Sequence, residues 1–238
     1  MFLTDEDKAE IKKQLGDLKN EFELILFSQK IGCTYCSQAE QLLKELNEVL
    51  PRMKLSIFNP VLDEEVAAKY QVGRDLPVIA INSAYNPRTM NVKFLGIPLA
   101  YEFTWLISLI NMVGNDIYPL QQSTLKTLAE IDDMLEKNSS FLELLVFVTP
   151  TCPYCPVMSI ISTAFALLSK NIKTICIEVS EFPEFAQKYS VIGVPKTVIR
   201  LVKGDQTVEN FIEGATPENK FSERLHKFVS SNLLNSRN

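Results

Sequence analysis

Apolar positions along the chain change period in a fixed succession, and the succession runs twice. Ile11, Leu15 and Leu18 lie on one stripe at helical spacing, with Thr4 placed to cap the helix. A short apolar run, residues 24–27, has the length of a buried strand. Helical spacing returns at Ala39, Leu42, Leu43, Leu46 and Leu50. A strand at 54–58, a charged helix at 63–70, two hairpin strands at 78–82 and 92–95 and a closing helix at 101–113 complete the first pass. The second pass starts from a stripe of Leu125, Leu128, Ile131 and Leu135, capped by Ser123 or Thr124. It continues with a strand at 144–148 and a helix carrying Val157, Ile160, Ile161, Ala164 and Leu168. Strand 174–179, helix 182–189, strands 197–202 and 208–212 and helix 217–234 follow. Strands alternating with helices and ending in a hairpin predict an α/β fold of two tandem units, each a mixed central sheet flanked by helices.

The residues themselves repeat. ELILFSQKIGCTYC (23–36) answers to ELLVFVTPTCPYC (143–155), and KYQVGRDLPVIAI (69–81) to KYSVIGVPKTVI (188–199). Cys33 and Cys152 are 119 positions apart, while Pro77 and Pro195, like Gly96 and Gly214, are 118 apart. The units are 1–116 and 117–238, each of ordinary domain size. The join at 115–122 (NDIYPLQQ) is too short for free tumbling, so the halves are expected to pack together.

The formal net charge is −5, with 12 basic and 16 acidic residues in 1–116 and no basic tract that would neutralise phosphates. That argues against nucleic-acid binding. The longest apolar stretch, 97–114, is broken by Glu102 and other polar residues and does not read as a membrane span. The N-terminus lacks the layout of a secretory signal, so a cytoplasmic protein is expected.

Four of the five cysteines form two Cys-x-x-Cys pairs, Cys33/Cys36 and Cys152/Cys155, each following a strand and opening a helix. Unpaired N–H groups and the dipole at a helix N-terminus favour a thiolate there. Cys33 and Cys152 are the candidate nucleophiles, and Cys36 and Cys155 the resolving thiols that attack the mixed disulfide. Thr34-Tyr35 in one pair and Pro153-Tyr154 in the other should set different reduction potentials. Leu76-Pro77 and Val194-Pro195 each precede a strand at matched positions. A cis peptide there would turn the backbone toward the sulfurs and free the preceding residue to pair with an extended substrate.

LFSQKIGCTYC, KYQVGRDLPVIAI, FVTPTCPYCP and VIGVPKTVI resemble the thioredoxin superfamily. Over nearly the whole chain they resemble the glutaredoxin-like protein disulfide oxidoreductases of thermophilic archaea and bacteria, which carry two tandem thioredoxin-fold units. The resemblance implies protein-disulfide oxidoreductase activity in reduction, formation or isomerisation. It implies no cofactor beyond the redox-active disulfides, protein disulfides as substrates, a thioredoxin reductase-like flavoprotein as electron source, and a peroxiredoxin as a further partner. Two features depart from the pattern. Thioredoxin's buried acid would fall at Phe27 and Val146, leaving Glu23 and Glu143 as distant candidates for proton transfer. The glycine pair that glutaredoxins place near glutathione is missing around Gly214-Ala215.

Tyr35 and Tyr154 are candidate substrate contacts beside the sulfurs. Cys176, in TICIEV, reads as buried and inert, Trp105 as packing, and His226 as a surface residue on the last helix. Competing readings are a dedicated dithiol carrier to a peroxiredoxin, a four-thiolate zinc site and a non-enzymatic scaffold.

Overall fold

The apolar runs form strands somewhat longer than their hydrophobic cores. They are β1 (Phe22–Phe27), β2 (Met53–Phe58), β3 (Val78–Asn82) and β4 (Val92–Leu95) in the first half. In the second half they are β5 (Ser140–Val148), β6 (Ile172–Glu178), β7 (Lys196–Lys203) and β8 (Gln206–Glu213). The computed structural model describes residues 1–234; residues 235–238, assigned above to the second unit, lie outside the described residues. The strands form one mixed sheet in the order β2-β1-β3-β4-β6-β5-β7-β8. Each half repeats one pattern: a parallel pair (β1/β2, β5/β6) and two antiparallel pairs leading to the hairpin.

The expected packing of the halves takes the form of a strand pair. Strand β4 runs parallel to β6, with Val92 opposite Thr174 and Leu95 opposite Ile177. No periodicity in the sequence marks this pairing.

Two layers cover the sheet unequally. One face carries α1 (Asp5–Leu15), α2 (Cys36–Val49), α4 (Phe103–Asn115), α5 (Gln122–Lys137), α6 (Cys155–Leu168) and α8 (Glu218–Leu234), whose apolar sides meet the sheet in one core. The other face carries the short α3 (Glu64–Tyr70) and α7 (Pro183–Lys188). Trp105 of α4 lies wholly buried against the sheet, its ring tilted against Phe94 with centroids 4.8 Å apart and its indole N–H donating to Thr163 Oγ1 at 2.8 Å. Among the described residues no helix is long and apolar enough to cross a membrane.

Thr4 caps α1 as expected, in a reciprocal box with Asp7. The cap of α5 differs: Gln121 occupies that position, while Ser123 and Thr124 already lie in the first turn. Glu218 of α8 accepts the Gln121 N–H at 2.5 Å, so a neighbouring helix supplies what a local side chain was expected to. The stripe on α6 also differs. Val157 is exposed, whereas Ser159, Ser162 and Thr163 are fully buried. This helix packs against both the sheet and α4, so its burial extends beyond one apolar stripe.

Gly96 ends β4 at φ +105°, a region that L side chains rarely adopt. A Cβ there would lie 2.9 Å from Glu178 Cβ and 3.0 Å from Glu181 Oε1, both in the other half. Its repeat mate Gly214 also has positive φ, +77°, but has open space around it. Gly96→Ala is expected to cost about 3–5 kcal/mol, and Gly214→Ala only about 1–2. Urea midpoints of the two variants check this, and equal losses would show that the contact across the seam contributes nothing.

Candidate active site

Each Cys-x-x-Cys sits where a central strand hands over to a helix. Cys36 and Cys155 are the first residues of α2 and α6. Cys33 and Cys152 therefore lie just before the helix, three residues ahead of its first turn. Tyr35 and Tyr154 hold the cap positions without side-chain caps, and neither first turn contains an acidic residue. The open N–H groups there present positive potential to the sulfurs.

The first pair is a disulfide, Cys33–Cys36. The second is a dithiol, with Cys155 fully buried and Cys152 retaining 9% exposure. Leu76-Pro77 and Val194-Pro195 are both cis. The Leu76 carbonyl lies 3.4 Å from Cys33 Sγ, a contact rather than a hydrogen bond because a disulfide sulfur carries no proton. The Cys152 thiol faces the Val194 carbonyl at 3.7 Å. Behind each proline the same glycine bond recurs: Gly96 N–H to Pro77 O at 2.9 Å and Gly214 N–H to Pro195 O at 2.8 Å. The second sulfurs of the two pairs are also treated alike. Gln29 N–H reaches Cys36 Sγ at 3.4 Å, and the backbone of Thr149 serves Cys155.

Acidic groups distinguish the two centres. Burial, reinforced by Cys152 beside it, pushes the Cys155 thiol well above the usual thiol range. The negative potential of Glu102 acts on it in the same direction. Glu102, at the end of the short 3₁₀ turn Ala100–Glu102, is fully buried. Its Oε2 accepts from Ser159 Oγ at 3.1 Å, and its Oε1 has no hydrogen-bond partner among the described residues. Burial pushes its carboxyl up to about 7, with nearby Glu178 adding to the rise and Ser159 opposing it. At the first centre the matching helix position holds Glu40, one turn beyond Cys36. Its Oε1 accepts from the buried Ser28 hydroxyl at 2.8 Å.

Glu102 is the functional candidate that sequence reading missed. Its only signal was a lone charge inside the apolar stretch 97–114. The two acids suggested instead are engaged elsewhere. Glu23 pairs with Lys54 and Ser56, and Glu143 with Arg200. Glu23 lies four residues before the end of β1, about 13 Å along the strand from the junction that carries the cysteines.

The tyrosines part company. Tyr154 is 67% exposed beside the sulfurs, whereas Tyr35 is half-buried against the core. Cys176 is fully buried in β6, and burial pushes its thiol far up. His226 Nε2 lies 3.3 Å from Glu130 on the surface of α8. Among the described residues no group of three or more His, Cys, Asp or Glu side chains converges to hold a metal ion.

Residues 142–225 match the family model of the thioredoxin domain. The chain as a whole is similar in structure to a protein disulfide oxidoreductase from Aeropyrum pernix. Identity is 23% and the TM-score 0.80, over 97% of this chain and 95% of that one. It is also similar to the alkylhydroperoxide reductase AhpF from Enterococcus faecalis, at 19% identity and TM-score 0.78, over 94% of this chain and 100% of that one. No curated protein matches the sequence. The fold is thus that of tandem thioredoxin-like units, as the resemblance in the sequence implied.

Proposed function

We infer that the protein is a thiol–disulfide oxidoreductase acting on protein disulfides through two centres, Cys33/Cys36 and Cys152/Cys155. The observation that carries this reading is the duplicated placement of a sulfur pair between a helix start and the carbonyl before a cis proline, as a disulfide in one half and a dithiol in the other.

At the second centre, the Cys152 thiolate attacks one sulfur of a substrate disulfide. One S–S bond breaks, a mixed disulfide forms, and the leaving substrate sulfur takes a proton from solvent. Glu102, whose charge acts on Cys155, takes the Cys155 proton; the Cys155 thiolate attacks Cys152 Sγ, the Cys152–substrate bond breaks, and the leaving substrate thiolate takes a proton from solvent. Two electrons have passed to the substrate, and the protein holds a Cys152–Cys155 disulfide until an external dithiol reduces it. Val194 and Leu76 offer backbone groups to an extended substrate, Pro195 and Pro77 shape that edge, and exposed Tyr154 borders it. At the first centre, Cys33 attacks and Cys36 resolves, with Glu40 the nearest acid on its own helix.

The division into units 1–116 and 117–238 belongs to this reading, each unit carrying one Cys-x-x-Cys pair. So do a cytoplasmic location, a flavoprotein reductase as electron source and the lack of any resident cofactor. Similarity to an alkylhydroperoxide reductase favours a second reading, a carrier that passes electrons to a peroxiredoxin. An insulin-reduction assay with dithiothreitol tests the main reading. Catalytic amounts of protein should hasten precipitation of the insulin B chain; a rate equal to dithiothreitol alone would contradict it.

A further inference from the structure

The two units are not equally covered, and the difference lies beside the first centre. A groove of about 610 Å³ opens between the loop before Cys33 and the loop after β2. Its walls include Ile31, Val61 and Leu62, which are 87%, 63% and 80% exposed. Large apolar side chains held this far out beside one another mark an interaction surface.

The repeat shows what such a groove accepts. Strand register makes Phe27 equivalent to Phe147 and Phe58 to Ile177, so Asn59 answers to Glu178 and Leu62 to Glu181. Lys30 answers to Pro150, and Glu40 to Ser159. In the second unit these four positions are the ones that hold the stretch following β4. Gly96 lies against Glu178 and Glu181, and Ile97 N–H donates to Glu181 Oε1 at 2.8 Å. Tyr101 N–H donates to Pro150 O at 3.2 Å, and Glu102 accepts from Ser159. Ile97 and Pro98 are buried there. Strand β4 itself lies parallel on β6. The equivalent strand of the first unit, β2, is the sheet edge, with β1 on one side and no strand on the other among the described residues.

We propose that β2 and the groove beyond it form a docking site for an extended apolar segment of a partner protein, which adds a parallel strand to β2 and fills the groove with the residues that follow. This rests on the reading above only in taking that partner to be one whose disulfide is handled at Cys33. The occupant is more apolar than the internal one, because the acceptor Glu181 is replaced by Leu62, Ser180 by Val61 and Cys176 by Ile57. A second copy of this chain is a poor occupant. The stretch after its own free edge strand β8 reads Gly214-Ala215-Thr216-Pro217-Glu218, and β8 carries Glu209 and Glu213. Main-chain bonds to the edge would supply affinity and the groove would supply specificity.

The probe is the internal occupant of the second unit as a free peptide, Val-Lys-Phe-Leu-Gly-Ile-Pro-Leu-Ala-Tyr-Glu (residues 92–102), labelled and followed by fluorescence anisotropy. It is titrated with the full chain carrying Cys33→Ser and Cys36→Ser, so binding is read without redox exchange and independently of whether the chain is an oxidoreductase. Saturable binding is expected, weakened at least tenfold by Leu62→Lys, which removes an apolar wall and supplies no acceptor, and unchanged by Tyr85→Glu, an exposed site elsewhere. Both variants are checked for native circular dichroism, and Val61→Lys serves if Leu62→Lys is misfolded. No saturable binding, equal binding of a scrambled peptide, or indifference to the groove variant would overturn the proposal. Self-association of the chain that Leu62→Lys abolishes would overturn it in favour of a second copy.

Discussion

Serine at both Cys33 and Cys152 is expected to leave insulin reduction at the rate of dithiothreitol alone. A hydroxyl at neutral pH is a far weaker nucleophile than a thiolate, and the remaining thiols cannot replace the lost pair. Cys36 and Cys155 are buried, and Cys176 lies wholly inside β6. Cys155→Ser should behave differently from Cys152→Ser. It keeps the attacking sulfur and removes the resolving one, so the mixed disulfide with substrate accumulates and can be seen on a non-reducing gel. With Cys33 and Cys36 also replaced by serine, that adduct should be the main product. Activity of the double variant equal to wild type would contradict the assignment of nucleophiles. Adducts forming as readily in Cys152→Ser as in Cys155→Ser would contradict the order of attack.

Glu102→Gln is expected to slow the second centre about a hundredfold at pH 8 while making the fold more stable there. The rate effect follows from proton transfer. A positioned base contributes about 10²–10⁴-fold, and Glu102 is the buried carboxyl whose charge bears on the Cys155 thiol. With its carboxyl at about 7, the resolving step should rise with pH through that value in wild type and lose that rise in the variant. The stability effect has the opposite sign. Burial holds the folded-state carboxyl above its unfolded value of 4.5, so folding disfavours the charged form. That destabilisation is absent below about pH 4.5, grows between 4.5 and 7 and is complete above 7. A rise of this size corresponds to about 3 kcal/mol, which Gln avoids by carrying no charge. Single-turnover kinetics on a chain with Cys33 and Cys36 replaced by serine, together with urea unfolding at pH 5 and 8, separate the two effects. An unchanged pH profile would remove Glu102 from the reaction.

Much of this molecule could be read from one chain because it is written twice. Two Cys-x-x-Cys pairs, two prolines and two glycines at matched offsets identified the repeated site, and the structure sets the first sulfur of each pair against the carbonyl before its proline. Local periodicity also located every strand to within a few residues. What was not legible comes from contacts between distant segments. The β4/β6 seam joins strands whose patterns each suit a strand buried on either side. Glu102 reaches the second centre from the first unit, so no spacing relative to Cys152 reveals it. The misplaced cap of α5 and the exposed Val157 have the same origin. Glu218 of α8 bonds the start of α5, and α6 packs against α4 as well as the sheet, so contacts between distant segments decide what local pattern assigns otherwise.

The chemistry of the two centres is tested most directly by counting free thiols across a graded series of glutathione redox buffers, each sample trapped and weighed intact. The chain has five cysteines. The count should fall from five to three and then to one. The two steps should lie at different potentials because Thr34-Tyr35 and Pro153-Tyr154 differ, and peptide mapping should leave Cys176 as the last free thiol. A count that stays at five under oxidising conditions, or that falls by pairing Cys176 with one of the other four, would contradict two reversible dithiol centres.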